Sequence, residues 1–566
     1  MSNSIASTKQ IGIILSGGTT SETAFQPLEN YENHLVEGKL VVVFCQRIKT
    51  EILGRISRII PYNAFYSEGD AFSEARRKGM TIPGDIAKQY QVCKVDLLQT
   101  LDKGPASSVT FPPHPGDPVY LYDHSLHEIK LFGMKRDEGD EKHIWFGTQV
   151  GYPDAPIALN IENMPMHMAV FGVTGSGKSY NMGSLIECLS SIPFKKDDKK
   201  RVYVPYPMII IDANGDYSDY SEVNDNEEIG SYGKQTIERI FFPNSYEREQ
   251  LRGTIKKNLQ RLVINLDVLN TRDLSEMIME FYRGDAEGVS ALQVSGLQRH
   301  IDNLAETMGF SKQDLFTTQF NTLRDAINQD RDIHQQTRPA IVRALDEFHR
   351  RMEVENHLLS DRSSEWFNID IQIDRLTKGG IAIFDFSADG ATGIDLPIKQ
   401  FVIGYLSAML FNKFTRYKQS EEGARYLSFV IEEAQNFCPG RRYPIGSSLA
   451  KTKLSAIATQ GRKFGLSLCL ISQRPSFVDE IILSMCNTFF LHRISPEDLH
   501  FVKSVTGGLP ESLSRRLTTL SQGECIITGQ MNRLPFALLI KGLERKVKHT
   551  AGKTDVVSRI VHIRGL

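Results

Sequence analysis

Hydrophobic positions change their spacing along the chain, and the change divides the chain into regions. From 11 to 148, short apolar runs alternate with polar positions and are separated by turn residues, as at Leu40, Val42 and Phe44. This alternation is typical of half-buried strands and predicts a small β-barrel as the N-terminal domain, residues 1–150, with helical residues near 70–90. The predicted strands lie at 11–15, 39–45, 51–60, 119–122 and 144–146.

After this region the apolar runs become continuous, which is typical of strands buried on both faces of a parallel sheet. The runs begin near 166, 207, 380, 426 and 466, and helical patterns follow several of them. Strands that alternate with helices predict an α/β fold. The sheet strands fall into two parts of the chain, 151–268 and 366–543.

Between those two parts the hydrophobic spacing becomes helical. Four stretches between 271 and 352 carry apolar residues three or four positions apart, so that each forms one apolar face. They predict a helical bundle, residues 269–365, inserted into the α/β domain. The last segment, 544–566, is basic and too polar for a core of its own. We expect this C-terminal arm to cover another surface, such as a neighbouring subunit.

The composition is that of a globular protein with more than one domain. The chain has 566 residues, more than one hydrophobic core normally holds, and 41% of them are hydrophobic and 24% charged. A net charge of −2 gives no overall sign of nucleic-acid binding, although a ring can confine its basic residues to a narrow channel. The seven cysteines contain no CxxC pair, which indicates neither a disulfide framework nor a zinc site.

We expect a cytoplasmic protein. Residues 1–10 are polar and lack the apolar core of a signal peptide. The longest apolar helix candidate, 401–411, is too short to span a bilayer. Membrane-anchored DNA pumps are therefore disfavoured.

A glycine-rich loop follows the first continuous apolar run and precedes a helical pattern. Gly172, then four residues, then Gly177, Lys178 and Ser179 fit the P-loop pattern. Glycines let backbone amides close on a phosphate, the lysine meets the terminal phosphates and the serine binds Mg²⁺. The strand before the loop and the helix after it disfavour a turn that binds nothing. We predict ATP and Mg²⁺ as ligands, and as nucleotide-binding residues Gly172, Thr174, Gly175, Ser176, Gly177, Lys178, Ser179 and Tyr180.

Paired acids end the apolar run that begins near 426. Glu432 and Glu433 stand where a Walker B strand ends. In that role the first acid supports Mg²⁺ through water, together with Ser179, and the second polarises the water that attacks the γ-phosphate. Asp212 and Asp216, after the run that begins near 207, are equally compatible with a role in the site and with capping of a turn.

The polar residue Gln473 follows the last continuous run. At a strand tip it is placed to touch the γ-phosphate or its water and to report hydrolysis to the rest of the subunit. Two acids and a polar strand tip after the next helix describe a RecA-like motor ATPase better than a kinase or a GTPase. The guanine-reading motif Asn-Lys-x-Asp does not occur.

With these motifs the chain resembles the HerA group of the HerA/FtsK superfamily of hexameric DNA translocases. The resemblance implies, over nearly the whole chain, a RecA-like P-loop NTPase core with an N-terminal barrel of the HAS-barrel type, a helical insertion and a C-terminal arm. It is carried by 172–179, 211–217, Ile431-Glu432-Glu433-Ala434, Gln460-Gly461-Arg462-Lys463-Phe464-Gly465 and Ile471-Ser472-Gln473-Arg474-Pro475.

The resemblance also implies a homo-hexameric ring with ATP sites between subunits. An arginine of one subunit then reaches the γ-phosphate bound by its neighbour, and Arg462 matches the family position best, with Arg493 and Arg516 as alternatives. A planar guanidinium suits this role because it neutralises phosphate charge in the transition state. The other interpretation of Arg462 is an exposed helix-end residue.

The chain departs from the family pattern at two places. HerA proteins usually have histidine where this chain has Gln435, which leaves the role of this position open. No arginine stands just upstream of the P-loop, where some relatives supply one in cis, and hydrolysis is then expected to be slow or to depend on a partner. Arg441 and Arg442 follow the Walker B strand in a loop, either as contacts to DNA phosphates in the channel or as ordinary exposed residues.

The predicted function is a hexameric, Mg²⁺-dependent ATPase that moves along double-stranded DNA as a translocase or helicase. It would act with a partner nuclease or another effector, for example a sirtuin-like subunit, that docks on the barrel, in antiviral (anti-phage) defence or DNA end processing. One alternative is a ring scaffold that nucleotide holds together and that regulates an effector without translocation. A second alternative is a secretion or conjugation ATPase.

Overall fold

Two compact units make up the computed structural model of the chain. The first contains Met1–Leu159, Leu509–Arg516 and Asn532–Ile540, and the second contains Asn160–Gly508, Leu517–Met531 and Lys541–Leu566. The structure describes residues 9–66, 72–81, 89–101, 107–133, 142–197, 200–217, 220, 237–251, 259–283, 289–359, 367–387, 394–420, 423–444 and 448–546. The predicted C-terminal arm therefore lies outside the described residues from 547 onwards. None of the helices within the described ranges is long and apolar enough to cross a membrane.

Antiparallel strands close a barrel in the first unit, which confirms the predicted barrel. Their apolar side chains alternate inward, and Phe25, Val43, Ile52 and Val95 are among the buried core residues. The strands run in the order β1-β2-β5-β4-β3-β6. They are β1 Gln10–Ile14, β2 Glu22–Pro27, β3 Leu40–Cys45, β4 Thr50–Tyr62, β5 Tyr90–Thr100 and β6 Pro118–Leu121.

Other elements of the first unit lie outside the barrel. Two helices, α1 Ser73–Arg77 and α2 His124–Phe132, interrupt the barrel strands or follow them. The next strands, β7 His143–Gln149 and β8 Tyr152–Asn160, pair with each other, and β7 also pairs with a strand near the end of the chain, Leu538–Lys541. The predicted strand at 144–146 is thus part of this second sheet and not of the barrel.

A mostly parallel sheet forms the centre of the second unit. Its strands lie in the order β15 (Phe367–Asn368), β14 (Leu259–Val263), β13 (Ile237–Phe241), β16 (Ile381–Asp385), β12 (Met208–Asp212), β17 (Leu427–Ile431), β18 (Leu466–Ser472), β9 (His167–Phe171), β19 (Cys486–Leu491) and β20 (Glu524–Gly529). Among these strands only the β19–β20 pair is antiparallel. The strands β9 His167–Phe171, β12 Met208–Asp212, β16 and β17 are buried along their whole length, which agrees with their continuous apolar runs. The elements up to the insertion are β9, α3 Lys178–Ser190, the hairpin β10 Ile192–Asp197 and β11 Lys200–Val204, β12, β13 Ile237–Phe241, α4 Pro243–Leu251 and β14 Leu259–Val263.

The helical insertion between β14 and β15 is confirmed. A buried aromatic cluster holds it together: the Phe348 ring lies 5.5 Å from Phe281, 5.6 Å from Phe316 and 5.0 Å from Phe401, centroid to centroid. Phe401 belongs to the helix after the insertion, so the cluster also joins the bundle to the α/β core. The helices are α5 Thr271–Arg283, α6 Ala291–Met308, α7 Lys312–Phe316, α8 Phe320–Gln329 and α9 Thr337–His349.

After the insertion, strands and helices alternate again and complete the sheet. Because the strands from β15 to β19 are parallel with β9, their carboxyl ends meet at one edge. The elements are β15 Phe367–Asn368, α10 Ile369–Leu376, β16 Ile381–Asp385, α11 Leu396–Gln419, β17 Leu427–Ile431, α12 Lys451–Gln460, β18 Leu466–Ser472, α13 Glu480–Ser484, β19 Cys486–Leu491, α14 Leu499–Val505, α15 Glu511–Arg516, β20 Glu524–Gly529 and β21 Leu538–Lys541.

The Glu280→Gln variant is expected to be more stable than the wild type at neutral pH. Burial, and to a smaller extent the charge of Glu276, raise the pKa of Glu280 on α5 to about 7, while Lys453 opposes the shift. A carboxyl group with a raised pKa stabilises the fold while it is protonated and loses that contribution as the pH rises towards 7. The gain in melting temperature of the variant should therefore be small near pH 5 and reach a plateau above about pH 7. The exposed Glu306→Gln on α6 serves as the control, and a gain that does not depend on pH would contradict the prediction.

Candidate nucleotide-binding site

The predicted P-loop joins the end of β9 to the start of α3. Gly175 and Gly177 have φ angles of 75° and 93°, in the left-handed region that favours glycine. The loop is also held by a close backbone contact, since the Gly523 amide donates to the Ser176 carbonyl at 3.0 Å. A Cβ atom on Gly177 would lie 2.6 Å from the Gly523 nitrogen, so this position has no room for a side chain.

The loop residues are placed so that some are buried and others are accessible. Lys178, the first residue of α3, is 8% exposed, whereas Thr174 and Gly175 at the tip are exposed. Ser176 is buried, and its hydroxyl has no hydrogen-bond partner among the described residues. A Cβ on Gly172 would lie 2.6 Å from that hydroxyl. A small loop with a buried lysine and an unsatisfied hydroxyl fits a bound phosphate group.

Glu432 lies directly after β17 and is 2% exposed. Its carboxylate accepts hydrogen bonds from the Tyr217 hydroxyl, at 2.9 Å, and from the Ala213 amide, at 3.3 Å. Burial raises the pKa of Glu432 well above its ordinary value, the charge of Asp212 adds to this, and the charge of Lys178 lowers it. The carboxylate at the Walker B position is therefore within electrostatic reach of the P-loop lysine.

Asp212 at the end of β12 caps the loop that follows it. Its two carboxylate oxygens accept from the amides of Gly215, Asp216 and Tyr217 at 2.8 to 3.0 Å. Burial and the nearby Asp385 raise the pKa of Asp212 to about 7, while the amide hydrogen bonds lower it. The cap folds the loop so that Tyr217 reaches Glu432. Asp212 thus caps a turn and also lies beside the site.

Glu433, Gln473 and Thr174 form a chain of hydrogen bonds across three strand ends. The Gln473 amide nitrogen donates to Glu433 Oε1 at 2.7 Å, and Thr174 Oγ1 donates to the Gln473 amide oxygen at 2.7 Å. Gln473 follows β18, which lies between β17 and β9 in the sheet. The predicted strand-tip residue is thus in contact with both the P-loop and the second acid.

Three of the predicted arginines lie away from this cluster, whereas the carbonyl of the alternative Arg493 accepts from the Val173 amide of the P-loop at 2.8 Å. Arg462 is exposed in the turn Gly461–Phe464 before β18, at the edge of the sheet opposite Lys178. Arg441 and Arg442 are exposed in a turn beyond β17.

Two residues near the site were not predicted from the sequence. Tyr217 lies in 211–217, one of the segments that resemble HerA proteins, but the hydrophobic spacing assigned it no role in the site. Gly523 precedes β20, and its only sequence signal is a glycine at the start of a strand.

The residues present fit a magnesium site of the kind that ATPases use. The described residues contain no group of three or more His, Cys, Asp or Glu side chains that could hold a metal. Mg²⁺ normally takes only one or two carboxylates from the protein and completes its shell with substrate phosphates and water. Glu432, with Asp212 beside it, and the Ser179 hydroxyl at the start of α3 provide this kind of donor set.

Comparisons with known proteins find similar solved structures, similar sequences and a matching family model. Among solved structures, the bacterial conjugative coupling protein TrwBdeltaN70 aligns with a TM-score of 0.46 and 14% identity, over 72% of this chain and 90% of that chain. The probable helicase MJ1565 of Methanocaldococcus jannaschii is 24% identical over 475 residues, 80% of this chain and 76% of that protein. The DNA double-strand break repair helicase HerA of Sulfurisphaera tokodaii is 25% identical over 472 residues, 81% of this chain and 79% of that protein. A family model described as the central domain of helicase HerA matches residues 144–410. This matched region is a HerA-type ATPase domain.

The Gly177→Ala variant of this protein is expected to lose more stability and nucleotide affinity than Gly175→Ala. Alanine in the left-handed region costs about 1 kcal/mol at either position. Only at Gly177 does the new Cβ also meet backbone, since a Cβ at Gly175 has nothing within 4 Å. Thermal melting and titration with a non-hydrolysable ATP analogue measure the two effects. Equal losses in the two variants would contradict the role assigned to the Gly523 contact.

Proposed function

We propose that this protein uses ATP hydrolysis to move along double-stranded DNA. The observation that carries the proposal is the convergence of Lys178, Glu432, Glu433 and Gln473 at one edge of a parallel sheet. The relative from Sulfurisphaera tokodaii is named as a DNA double-strand break repair helicase, which supports DNA as the track.

In the proposed reaction each residue has one task. Lys178 neutralises the terminal phosphates. Ser179, and Glu432 through water, would hold Mg²⁺, which would act as a Lewis acid that offsets phosphate charge. Glu433 accepts a hydrogen bond from the attacking water and polarises it. Gln473 lies between Glu433 and Thr174, so that a change at the phosphate reaches the end of β18.

Lys178→Ala and Glu433→Gln are each expected to reduce ATP turnover by about a hundredfold or more. The two variants should differ in binding: the lysine variant loses affinity for ATP, whereas the glutamine variant keeps it, because only the water-activating carboxylate has changed. Turnover is measured with and without duplex DNA, and DNA should stimulate the wild type. Glu306→Gln, on the exposed side of the insertion, is the matched control. Turnover that persists in Lys178→Ala would rule out the site.

We also propose a hexameric ring in which Arg462 completes the neighbouring site. Seven residues of β18 separate Arg462 from the edge that carries Lys178, a distance of roughly 20 Å. Arg462 is therefore too far from the P-loop of its own chain to act there, and its exposure leaves it accessible to another subunit. In such a ring Arg441 and Arg442 would contact DNA phosphates, and a nuclease or another effector would dock on the barrel.

Mixtures of Arg462→Ala and Lys178→Ala subunits are expected to recover part of the ATP turnover that each variant lacks alone. Recovery arises because a mixed ring contains some interfaces with an intact lysine on one side and an intact arginine on the other. Native mass measurement establishes the subunit number and shows that the variants co-assemble. Arg272→Ala, an exposed arginine of α5, should be fully active alone. Wild-type turnover in Arg462→Ala, or no recovery in co-assembled rings, would contradict the proposal.

A further inference from the structure

Gln435 lies two residues after Glu433, in the short turn Ala434–Asn436, and is 8% exposed. Its amide nitrogen donates to Oε2 of Glu433. Its amide oxygen accepts from the Ser472 hydroxyl at 2.8 Å. A carboxylate only accepts hydrogen bonds, so it faces the donor end of the amide, and the acceptor end is left for the Ser472 hydroxyl.

The support behind Gln435 is itself firmly held. Ser472 is fully buried at the end of β18, and the Arg474 amide donates to its hydroxyl at 3.2 Å. The Arg474 guanidinium binds the buried Asp498 at 2.8 Å. The position of the Gln435 side chain is therefore set by the sheet and by the segment before α14.

The two oxygens of Glu433 are bound from opposite directions. Oε1 accepts from Gln473, whose amide oxygen is in turn bound by Thr174 at the exposed tip of the P-loop. Because Thr174 at the tip of the P-loop is exposed, this connection is accessible to a phosphate bound by the loop. The connection from Oε2 runs through Gln435 to the buried Ser472, whose carbonyl accepts from the Gly172 amide at the start of the P-loop at 3.2 Å, so this side of the carboxylate is tied to the backbone of the sheet.

The backbone at Glu433 increases the need for such a support. Its φ angle is 49°, in the left-handed region that residues other than glycine rarely adopt. Glu433 lies in neither a strand nor a regular helix, so the orientation of its carboxylate depends on the side chains that bind it.

We propose that Gln435 is a positioning residue that holds the Glu433 carboxylate in the orientation needed to polarise water. The inference rests on the proposed role of Glu433 in hydrolysis. Gln435 keeps one carboxylate oxygen fixed while Gln473 exchanges its hydrogen bond for one to the phosphate or its water. Without the amide, the carboxylate rotates and the attacking water loses its alignment.

The test replaces Gln435 by Met, which has a similar length and shape but no hydrogen-bonding amide. We expect kcat to fall about ten- to a hundredfold, as for other residues that orient a functional group. The KM for ATP and the affinity for a non-hydrolysable analogue should stay within about twofold, because the P-loop contacts are unchanged. Gln329→Met, at the exposed end of α8, is the control for the substitution itself.

Two further variants test the hydrogen-bond pattern. Gln435→His should retain much of kcat, since a neutral imidazole also offers one donor and one acceptor. Ser472→Ala should lower kcat less than Gln435→Met does. In the Ser472→Ala, Gln435→Met double variant, kcat should fall no further than in Gln435→Met alone, since both residues act through the same carboxylate.

The outcomes separate this inference from the proposed function. Turnover that persists in Lys178→Ala contradicts the proposed function. Lys178-dependent turnover together with wild-type kcat in Gln435→Met overturns only the positioning role. A Gln435→Met variant that loses analogue binding or melts at a much lower temperature also overturns it, because a general structural role would then explain the fall in kcat.

Discussion

The burial of a carboxylate beside the P-loop is the constraint on which the rest of the site depends. A buried charged group is tolerated only when hydrogen bonds and opposite charges compensate for the lost water. At Glu432 Tyr217 and Ala213 donate hydrogen bonds and Lys178 supplies opposite charge, and they offset part of the burial that raises the pKa of this carboxyl well above its ordinary value. The loop after β12, the Walker B strand and the P-loop helix are therefore fixed with respect to one another. This arrangement also accounts for the burial of Lys178 and for the loop cap that Asp212 provides.

A second constraint comes from close backbone approach at the P-loop. Gly523 donates to Ser176 and accepts from the Asn181 side chain at 3.0 Å, so the segment before β20 braces both the loop and the first turn of α3. Contacts this short exclude a Cβ at Gly177. The glycine that sequence patterns assign to phosphate binding therefore also serves the packing of the loop against a distant part of the chain.

The helical insertion leaves the site intact because of where it enters the sheet. It lies between β14 and β15, the two strands at one edge, whereas β12, β17, β18 and β9 occupy the middle. The phenylalanine cluster around Phe348 fixes the bundle on α11. Residues can thus be added at the sheet edge without changing the register of the strands whose ends carry Glu432, Gln473 and the P-loop.

Local patterns in the sequence determined the elements whose hydrophobic residues recur at regular spacing and the loops that require particular residues, such as glycine. The P-loop, the buried strands, the four long helices of the insertion and the acids after β17 all follow from spacing within about twenty residues, because period and turn chemistry act over that range. Barrel strands β2 and β5 were not predicted, since polar residues interrupt their apolar runs and pairing across the barrel stabilises them. Only the tertiary structure decided which side chains meet at the strand ends. The bonds of Tyr217 to Glu432, of Gly523 to Ser176 and of Gln435 to Ser472 join residues that lie far apart in the chain. Such contacts depend on the order of strands in the sheet, which no local pattern encodes.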